Sequence, residues 1–91
     1  MPSGKHPLIA YVAVVTISDH VLAKIGSKHG ISEGDVWEAV HASSVLRSAW
    51  VEDERGSRLL VVGQTARGRS LRLVLYPAGD GVWRLGTAMP A

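Results

Sequence analysis

The chain has 91 residues, of which 46% are apolar and 20% are charged, a composition typical of one globular domain rather than of a disordered segment. It has no cysteine, which excludes a disulfide framework, a thiolate metal site and a cysteine nucleophile. The net charge is only +2, yet residues 58–91 carry five arginines and a single acidic residue, Asp80. Positive charge is therefore concentrated in the last third of the chain.

The N-terminal part predicts a flexible tail over residues 1–10, followed by one domain over residues 11–91. The run from Pro7 to Ile17 is apolar for eleven residues, which is too short to span a bilayer. Polar residues follow it instead of an obvious small-residue cleavage site, so a signal peptide is the less favoured alternative. We expect a buried first strand over roughly Tyr11–Ile17 and no association with a membrane.

Two helices are predicted after this strand, over about His20–His29 and from the Ser32 region to about Ala42. Each is preceded by side chains that can accept hydrogen bonds from the free amides of a first helical turn. A glycine that can end a helix in the left-handed conformation follows the first one. The residues that carry these signals are Ser18 or Asp19 with Gly30 for the first helix, and Ser32 with Asp35 for the second.

The last third of the chain predicts three antiparallel strands joined by two short turns, because apolar runs rich in valine and leucine alternate with glycine-containing clusters. In the middle run, Leu71, Leu73 and Leu75 share one face, which predicts a sheet with one buried and one displayed face. The continuous run Leu59–Val62 predicts a strand that is covered on both sides or is central. A further strand is predicted over Ser44–Val51. The expected fold is α+β: an N-terminal strand, two helices and then a twisted antiparallel sheet of three to four strands.

Several familiar motifs are absent or only imitated. The segment Gly63–Ser70 approximates the phosphate-binding loop GxxxxGK[ST], with Arg69 in place of the lysine. That loop must open a helix, whereas the residues after Ser70 continue as a strand, so a hairpin turn is the better prediction. The four histidines lack metal-ligand spacing, and no serine lies in a nucleophile-elbow pattern. We expect no metal site and no cofactor.

The displayed arginines and the Lys28-His29-Gly30 corner of the first helix are the residues best suited to chemistry. Arginine binds phosphate through planar, bidentate contacts. Cleavage of RNA by its own 2′-hydroxyl group needs cations at the phosphate and a group that transfers a proton near neutral pH. Arginines supply the first requirement and His29 the second. The alternatives are ordinary solvated arginines and an inert histidine that the helix dipole favours at a C-terminus.

Short motifs occur in a recognisable order along the chain: Lys28-His29-Gly30-Ile31-Ser32 before a helix, Arg58, Gly68-Arg69 before an apolar strand, Arg84-Leu85, and Thr87-Ala88-Met89-Pro90-Ala91. Over roughly Val15–Ala91, their order and spacing resemble the BrnT branch of the RelE/ParE-type toxins. The resemblance implies a RelE-like fold and a cytoplasmic bacterial toxin that acts as a metal-independent endoribonuclease. It further implies an antitoxin protein as partner, and a homodimer or a toxin–antitoxin hetero-oligomer as the assembly.

The resemblance also assigns roles to individual residues. On matching positions it implies catalytic or RNA-facing roles for Lys28, His29, Arg58 and Arg69. We take the catalytic set to be His29, Arg58 and Arg69, and the RNA-binding set to be Lys28, Arg67, Arg72 and Arg84. Met89 stands where the family carries an arginine in its closing strand, and the basic residues that the family places after it do not follow here. Weakened cleavage is therefore expected.

A second hypothesis belongs to another functional class. The chain would be a noncatalytic interaction module of the same fold that binds a partner chain or self-associates. The exposed side of the sheet, including Trp50 or Trp83, would form the contact. Alternatively, a segment of the partner would bind by adding a strand to a free edge of the sheet.

Overall fold

A computed structural model describes residues 12–91 of the protein. The predicted tail over residues 1–10, together with Tyr11, lies outside the described residues. The elements in chain order are β1 (Val14–Thr16), α1 (Asp19–His29), α2 (Glu33–Trp37), a π-helical segment (Glu38–Ala42), β2 (Arg47–Asp53), β3 (Gly56–Gln64), β4 (Ser70–Gly79) and β5 (Val82–Pro90). The α+β class and the order of strand, two helices and four strands are those predicted from the sequence.

Both helices begin where their capping residues predict, and α1 ends at the predicted glycine. The Ser18 hydroxyl accepts a 3.2 Å hydrogen bond from a first-turn amide, and Gly30 ends α1 with φ 65°. The Ser32 hydroxyl accepts from the Asp35 amide, while the Asp35 carboxylate accepts from the Ser32 amide at 3.0 Å, which completes a capping box. The second helix continues beyond Trp37 as the π-helical segment. No helix within residues 12–91 is long and apolar enough to cross a membrane.

Within residues 12–91, five strands form one mixed sheet in the order β1-β5-β4-β3-β2. Strands β2 to β5 pair antiparallel with their neighbours in sequence, whereas β1 pairs parallel with β5. The sheet has five strands instead of the predicted three to four, because the N-terminal strand joins it beside β5. This strand is shorter than predicted and is not buried, since it spans only Val14–Thr16 and Val14 is 50% exposed. A parallel pair needs a long crossover, which the helices and the remaining strands supply. The pairing brings Val14 beside Val82, a contact that no local pattern reveals.

The helices cover one face of this sheet. Six side chains that point towards them are at most 1% exposed, namely Leu59, Val61, Leu71, Leu73, Leu75 and Leu85. This confirms the predicted buried face of β4. In the run Leu59–Val62, Leu60 and Val62 point away from the helices and are only half-buried. Strand β3 thus lies between two other strands, β4 and β2, and is covered by the helices on one face only.

A hairpin turn joins β3 to β4, as predicted in place of a phosphate-binding loop. The Thr65 amide donates to the Arg69 carbonyl at 2.9 Å, and the Gly68 amide donates to the Thr65 carbonyl at 2.9 Å. Gly68 has φ 85°, a conformation that favours glycine. The chain continues as β4 after the turn, so no helix N-terminus is present there to receive a phosphate group.

The helical layer approaches the sheet most closely at Gly63 in β3. A Cβ atom on this residue would lie 2.0 Å from the carbonyl oxygen of Ala39, which belongs to the π-helical segment. Ala39 is itself fully buried. A backbone oxygen cannot rotate away as a side chain can, so any larger residue at position 63 must push the helix off the sheet.

We expect Gly63→Ala to lower the free energy of unfolding by about 3 kcal/mol, because the added methyl group overlaps the Ala39 carbonyl. Urea denaturation followed by circular dichroism measures this change. The matched control is Gly26→Ala in α1, where the nearest atom to the new Cβ lies at 3.8 Å. This control should raise the stability by about 1 kcal/mol, since alanine is the better helix former. Equal stability of Gly63→Ala and the wild type would contradict the close approach.

Candidate nucleic-acid interface

The face of the sheet that points away from the helices, called the open face here, is bare of any other described element. Along β4, buried leucines alternate with residues that stay partly exposed, such as Arg72, Val74 and Tyr76. The same alternation holds in β3 and β5. Because a strand directs successive side chains to opposite faces, this pattern separates a packed face from a displayed one.

Strand pairing arranges the open face in three rows that run across the strands. The first row contains Arg47, Val62, Arg72 and Met89; the central row contains Ala49, Leu60, Val74 and Thr87; the third row contains Val51 opposite Arg58, and Tyr76 opposite Arg84. An apolar central row is thus flanked on each side by a row with two arginines. Adjacent rows are about 7 Å apart, the length of two residues of a strand.

The arginines of the first row are the least engaged of the four. Within residues 12–91, neither Arg47 nor Arg72 makes a side-chain hydrogen bond or an ion pair, and both are exposed. Between them lies a shallow depression of about 310 Å³, lined by Arg47, Ser48, Ala49, Leu60, Val62 and Arg72. The floor of this depression is apolar and its two ends are cationic, which suits a ligand with an apolar or aromatic part and an anionic group.

The third row is held in place by contacts within the protein. The guanidinium group of Arg84 lies 5.0 Å from the centre of the Tyr76 ring. The Tyr76 ring packs on Gly86, where a Cβ atom would come within 2.4 Å of a ring carbon. Gly86 lies at an irregularity in the β4–β5 pairing, between Thr87 and Leu85. The irregular pairing and the lack of a side chain on Gly86 together make room for the Tyr76 ring. The ring in turn orients Arg84.

Arg58 differs from the other open-face arginines because its charge is already paired. Its Nη1 and Nη2 atoms donate to the two carboxylate oxygens of Asp53 at 3.1 and 3.0 Å. These hydrogen bonds hold the pKa of the Asp53 carboxyl below its usual value and raise the pKa of the Arg58 guanidinium. The side chain of Arg58 is 21% exposed. Arg58 is therefore less available to a phosphate group than Arg47 or Arg72.

Arg69 and His29 lie at a different place in the fold. The Arg69 guanidinium donates to the carbonyl oxygens of His29 and Gly30, the latter at 3.2 Å. These carbonyl groups belong to the end of α1, where free carbonyls need partners. Arg69 therefore connects the β3–β4 turn to the end of α1. Its guanidinium is occupied in a contact that supports the fold.

The residues proposed from the sequence fall into two groups. Lys28, His29, Arg67 and Arg69 lie at the end of α1 and on the β3–β4 turn, on the helix-covered side of the sheet. Arg58, Arg72 and Arg84 lie on the open face. The structure brings Arg69 to His29 but brings neither of them to Arg58, which lies at the opposite end of β3 on the other face. The described part of the open face carries no histidine.

Two open-face residues were not among the predicted site residues, namely Arg47 and Tyr76. Their strands show them on a displayed face by simple alternation, which is visible in the sequence. The sequence does not show which residues lie beside them. In the structure, Arg47 shares a row with Arg72, and Tyr76 contacts Arg84. Within residues 12–91, no group of three or more histidine, aspartate or glutamate side chains is arranged to hold a metal ion.

Arg69→Ala is expected to lower the free energy of unfolding by about 2 kcal/mol, because the carbonyl groups at the end of α1 lose a charged hydrogen-bond donor. Urea denaturation measures the loss. The control is Arg67→Ala, an exposed residue of the same turn without a described side-chain partner, which should stay within about 0.5 kcal/mol of the wild type. Equal stabilities for the two variants would show that the Arg69 contact contributes nothing. Loss of activity in Arg69→Ala reports on stability as well as on chemistry.

The Arg58–Asp53 pair predicts a loss of stability in acid. The pKa of Asp53 is lower in the folded state than in the unfolded state, so ionised Asp53 stabilises the fold. This stabilisation is complete above the unfolded-state pKa of about 4, and it is lost as the pH falls through the folded-state pKa. Urea midpoints measured over this range should fall less steeply for Asp53→Asn than for the wild type. Glu54→Gln, in the same turn, is the control and should keep the wild-type slope. Parallel curves for Asp53→Asn and the wild type would contradict the effect of the pair.

No protein-family model matches the chain, and no curated protein matches it. The likeness to BrnT-type toxins thus rests on the short motifs alone.

Proposed function

We propose that the protein is a toxin-like RNA-binding domain that contacts phosphate groups through the open face of its sheet. The observation that carries this proposal is the first row, where Arg47 and Arg72 stand at the two ends of an apolar depression without partners among the described residues. Arginine is the side chain best suited to bind phosphate oxygens in pairs. The apolar floor between them accepts the face of a nucleobase.

The arginines of the third row extend this surface. Arg84 is exposed and is oriented by Tyr76, so it provides a further cation at a fixed place. The acidic side chain identified beside the open face is Asp53, and Arg58 neutralises it. A surface of this kind attracts a polyanion in a manner that weakens steeply with added salt.

Metal-independent cleavage of the bound RNA is the activity that the resemblance adds to this proposal. The 2′-oxygen would attack the adjacent phosphorus atom, lose its proton to a base and expel the 5′-oxygen, which takes up a proton. Arg72 with Arg47 would stabilise the negative charge that develops on the phosphate oxygens. Tyr76 supplies a phenolic hydroxyl group on the open face, whereas His29 lies with Arg69 at the end of α1. An antitoxin protein would inhibit the domain by covering the same face.

The apolar central row favours one other function. Leu60 and Val74 of this row are half-buried although no described element covers them, and such a row typically marks a contact with another protein. A noncatalytic interaction module would use this row to bind a partner chain. The predicted contact through Trp50 or Trp83 is wrong, because Trp83 is buried and Trp50 packs against it on the helix-covered side. The partner would carry acidic side chains at the flanks of an apolar segment, to match the arginine rows.

RNA binding is tested with a fluorescently labelled single-stranded RNA and anisotropy measured over a range of salt concentrations. Arg72→Ala should weaken binding about tenfold at low salt and reduce the slope of log affinity against log salt by about 1. The control is Lys24→Ala, which removes the same charge from the exposed surface of α1 and should bind as the wild type does. Equal losses in both variants would indicate unspecific attraction to a basic protein.

Cleavage is tested on the same RNA in EDTA, with a matched substrate in which 2′-O-methyl groups replace the 2′-hydroxyl groups. Loss of cleavage on that substrate and in Arg72→Ala would establish the proposed reaction. RNA binding without cleavage would retain the RNA-binding function alone. Failure to bind RNA would leave the noncatalytic protein-binding module as the function of the open face.

A further inference from the structure

Strand β2 forms one edge of the sheet. It pairs with β3 on one side, and no other strand lies beyond it in the described chain. Every second residue of an edge strand directs its backbone N–H and C=O groups away from the sheet. No backbone hydrogen bond links these groups of β2 to any turn or loop of residues 12–91. With seven residues, β2 is long enough to accept a further strand.

The sequence of β2, Arg47-Ser48-Ala49-Trp50-Val51-Glu52-Asp53, is complementary to itself in the antiparallel direction. If two copies pair with Trp50 at the centre, each Arg47 stands opposite the Asp53 of the other copy. Ser48 then faces Glu52, and Ala49 faces Val51. Opposite charges at directly opposed positions stabilise a strand pair, and symmetry provides two such pairs.

Asp53 has the capacity for this additional contact. Its Oδ1 atom accepts from the Arg55 amide at 2.9 Å and from Arg58 at 3.1 Å, and its Oδ2 atom accepts from Arg58 at 3.0 Å. A carboxylate offers about four acceptor positions, so one position on Oδ2 is left. The Asp53 side chain is 39% exposed. Arg47 is exposed and has no side-chain partner among the described residues.

Other registers fit less well. If the pairing of the two strands is shifted by one residue, the open face of one copy continues into the helix-covered face of the other. A shift by two residues keeps the faces but removes the contact between Arg47 and Asp53, and it shortens the paired segment. The opposite edge of the sheet, β1, has only three residues. The centred register of β2 is therefore the one that pairs the whole strand and both charges.

We propose that two copies of this chain associate through antiparallel pairing of their β2 strands, centred on Trp50. The two five-stranded sheets then form one continuous sheet with both open faces on the same side. The Trp50 side chains approach each other across the two-fold axis on the helix-covered side, where each also packs edge-on against Trp83 at 6.2 Å. The proposal concerns the free protein and does not depend on RNA binding.

Sedimentation equilibrium of the RNA-free protein tests the assembly. The wild type should be a dimer, and Arg47→Asp should raise the dissociation constant about tenfold or more, because two attractive pairs become repulsive. Lys24→Asp makes the same change of charge on α1 and should dimerise as the wild type does. A monomeric wild type, or an Arg47→Asp variant that dimerises normally, overturns the proposal.

Cross-linking tests the register without altering the charged residues. The chain has no cysteine, so each introduced thiol is unique. Ala49→Cys protein mixed with Val51→Cys protein should form an intermolecular disulfide on mild oxidation, since these positions stand opposite each other in the centred register. Ala49→Cys mixed with Ala78→Cys is the control, because Ala78 lies far along β4 and is exposed. Equal cross-linking in the two mixtures, or none in the first, overturns the register.

Discussion

The contact between the Ala39 carbonyl and Gly63 sets the distance between the helical layer and the sheet. At this distance the leucines on the helix-covered face of β3, β4 and β5 are at most 1% exposed, and burial of apolar side chains is the largest favourable contribution to folding. A small domain has enough apolar material for one such interface and not for two. The helices therefore pack on one face, and the alternate residues of the same strands form the open face.

The arginines near the C-terminal sheet serve different physical purposes, although their side chains are identical. Arg69 satisfies the carbonyl groups at the end of α1, and Arg58 neutralises Asp53. Arg84 rests on an aromatic ring, while Arg72 has no described partner at all. A guanidinium group that already has its hydrogen bonds gains less from a phosphate than one that does not. The arginines therefore differ in how available they are to an anionic ligand, and Arg72 is the most available of these four.

Arg47 connects the two proposals, because it belongs both to the first row of the open face and to the edge of the sheet. In the proposed dimer its guanidinium contacts Asp53 of the other copy, whereas in the RNA complex it contacts phosphate. Arg72 lies two strands further into the sheet and takes no part in the proposed dimer contact, so it stays available to phosphate in the monomer and in the dimer. An arrangement of this kind couples assembly to RNA binding through a single side chain, since the same charge cannot fully serve two anions.

The sequence by itself determined the local features: the capped starts of both helices, the glycine that ends α1, the hairpin between β3 and β4, and the leucine face of β4. These depend on residues a few positions apart, such as Ser32 with Asp35. Only the tertiary structure decided which strand lies beside β1, which arginines share a row, and that the Arg69 guanidinium is bound to the end of α1. Those features depend on strand register and on the packing of segments distant in the chain, where a single side chain has many alternative neighbours. For this reason the α+β class could be read from the pattern, while the separation of His29 and Arg69 from Arg58 required the assembled sheet.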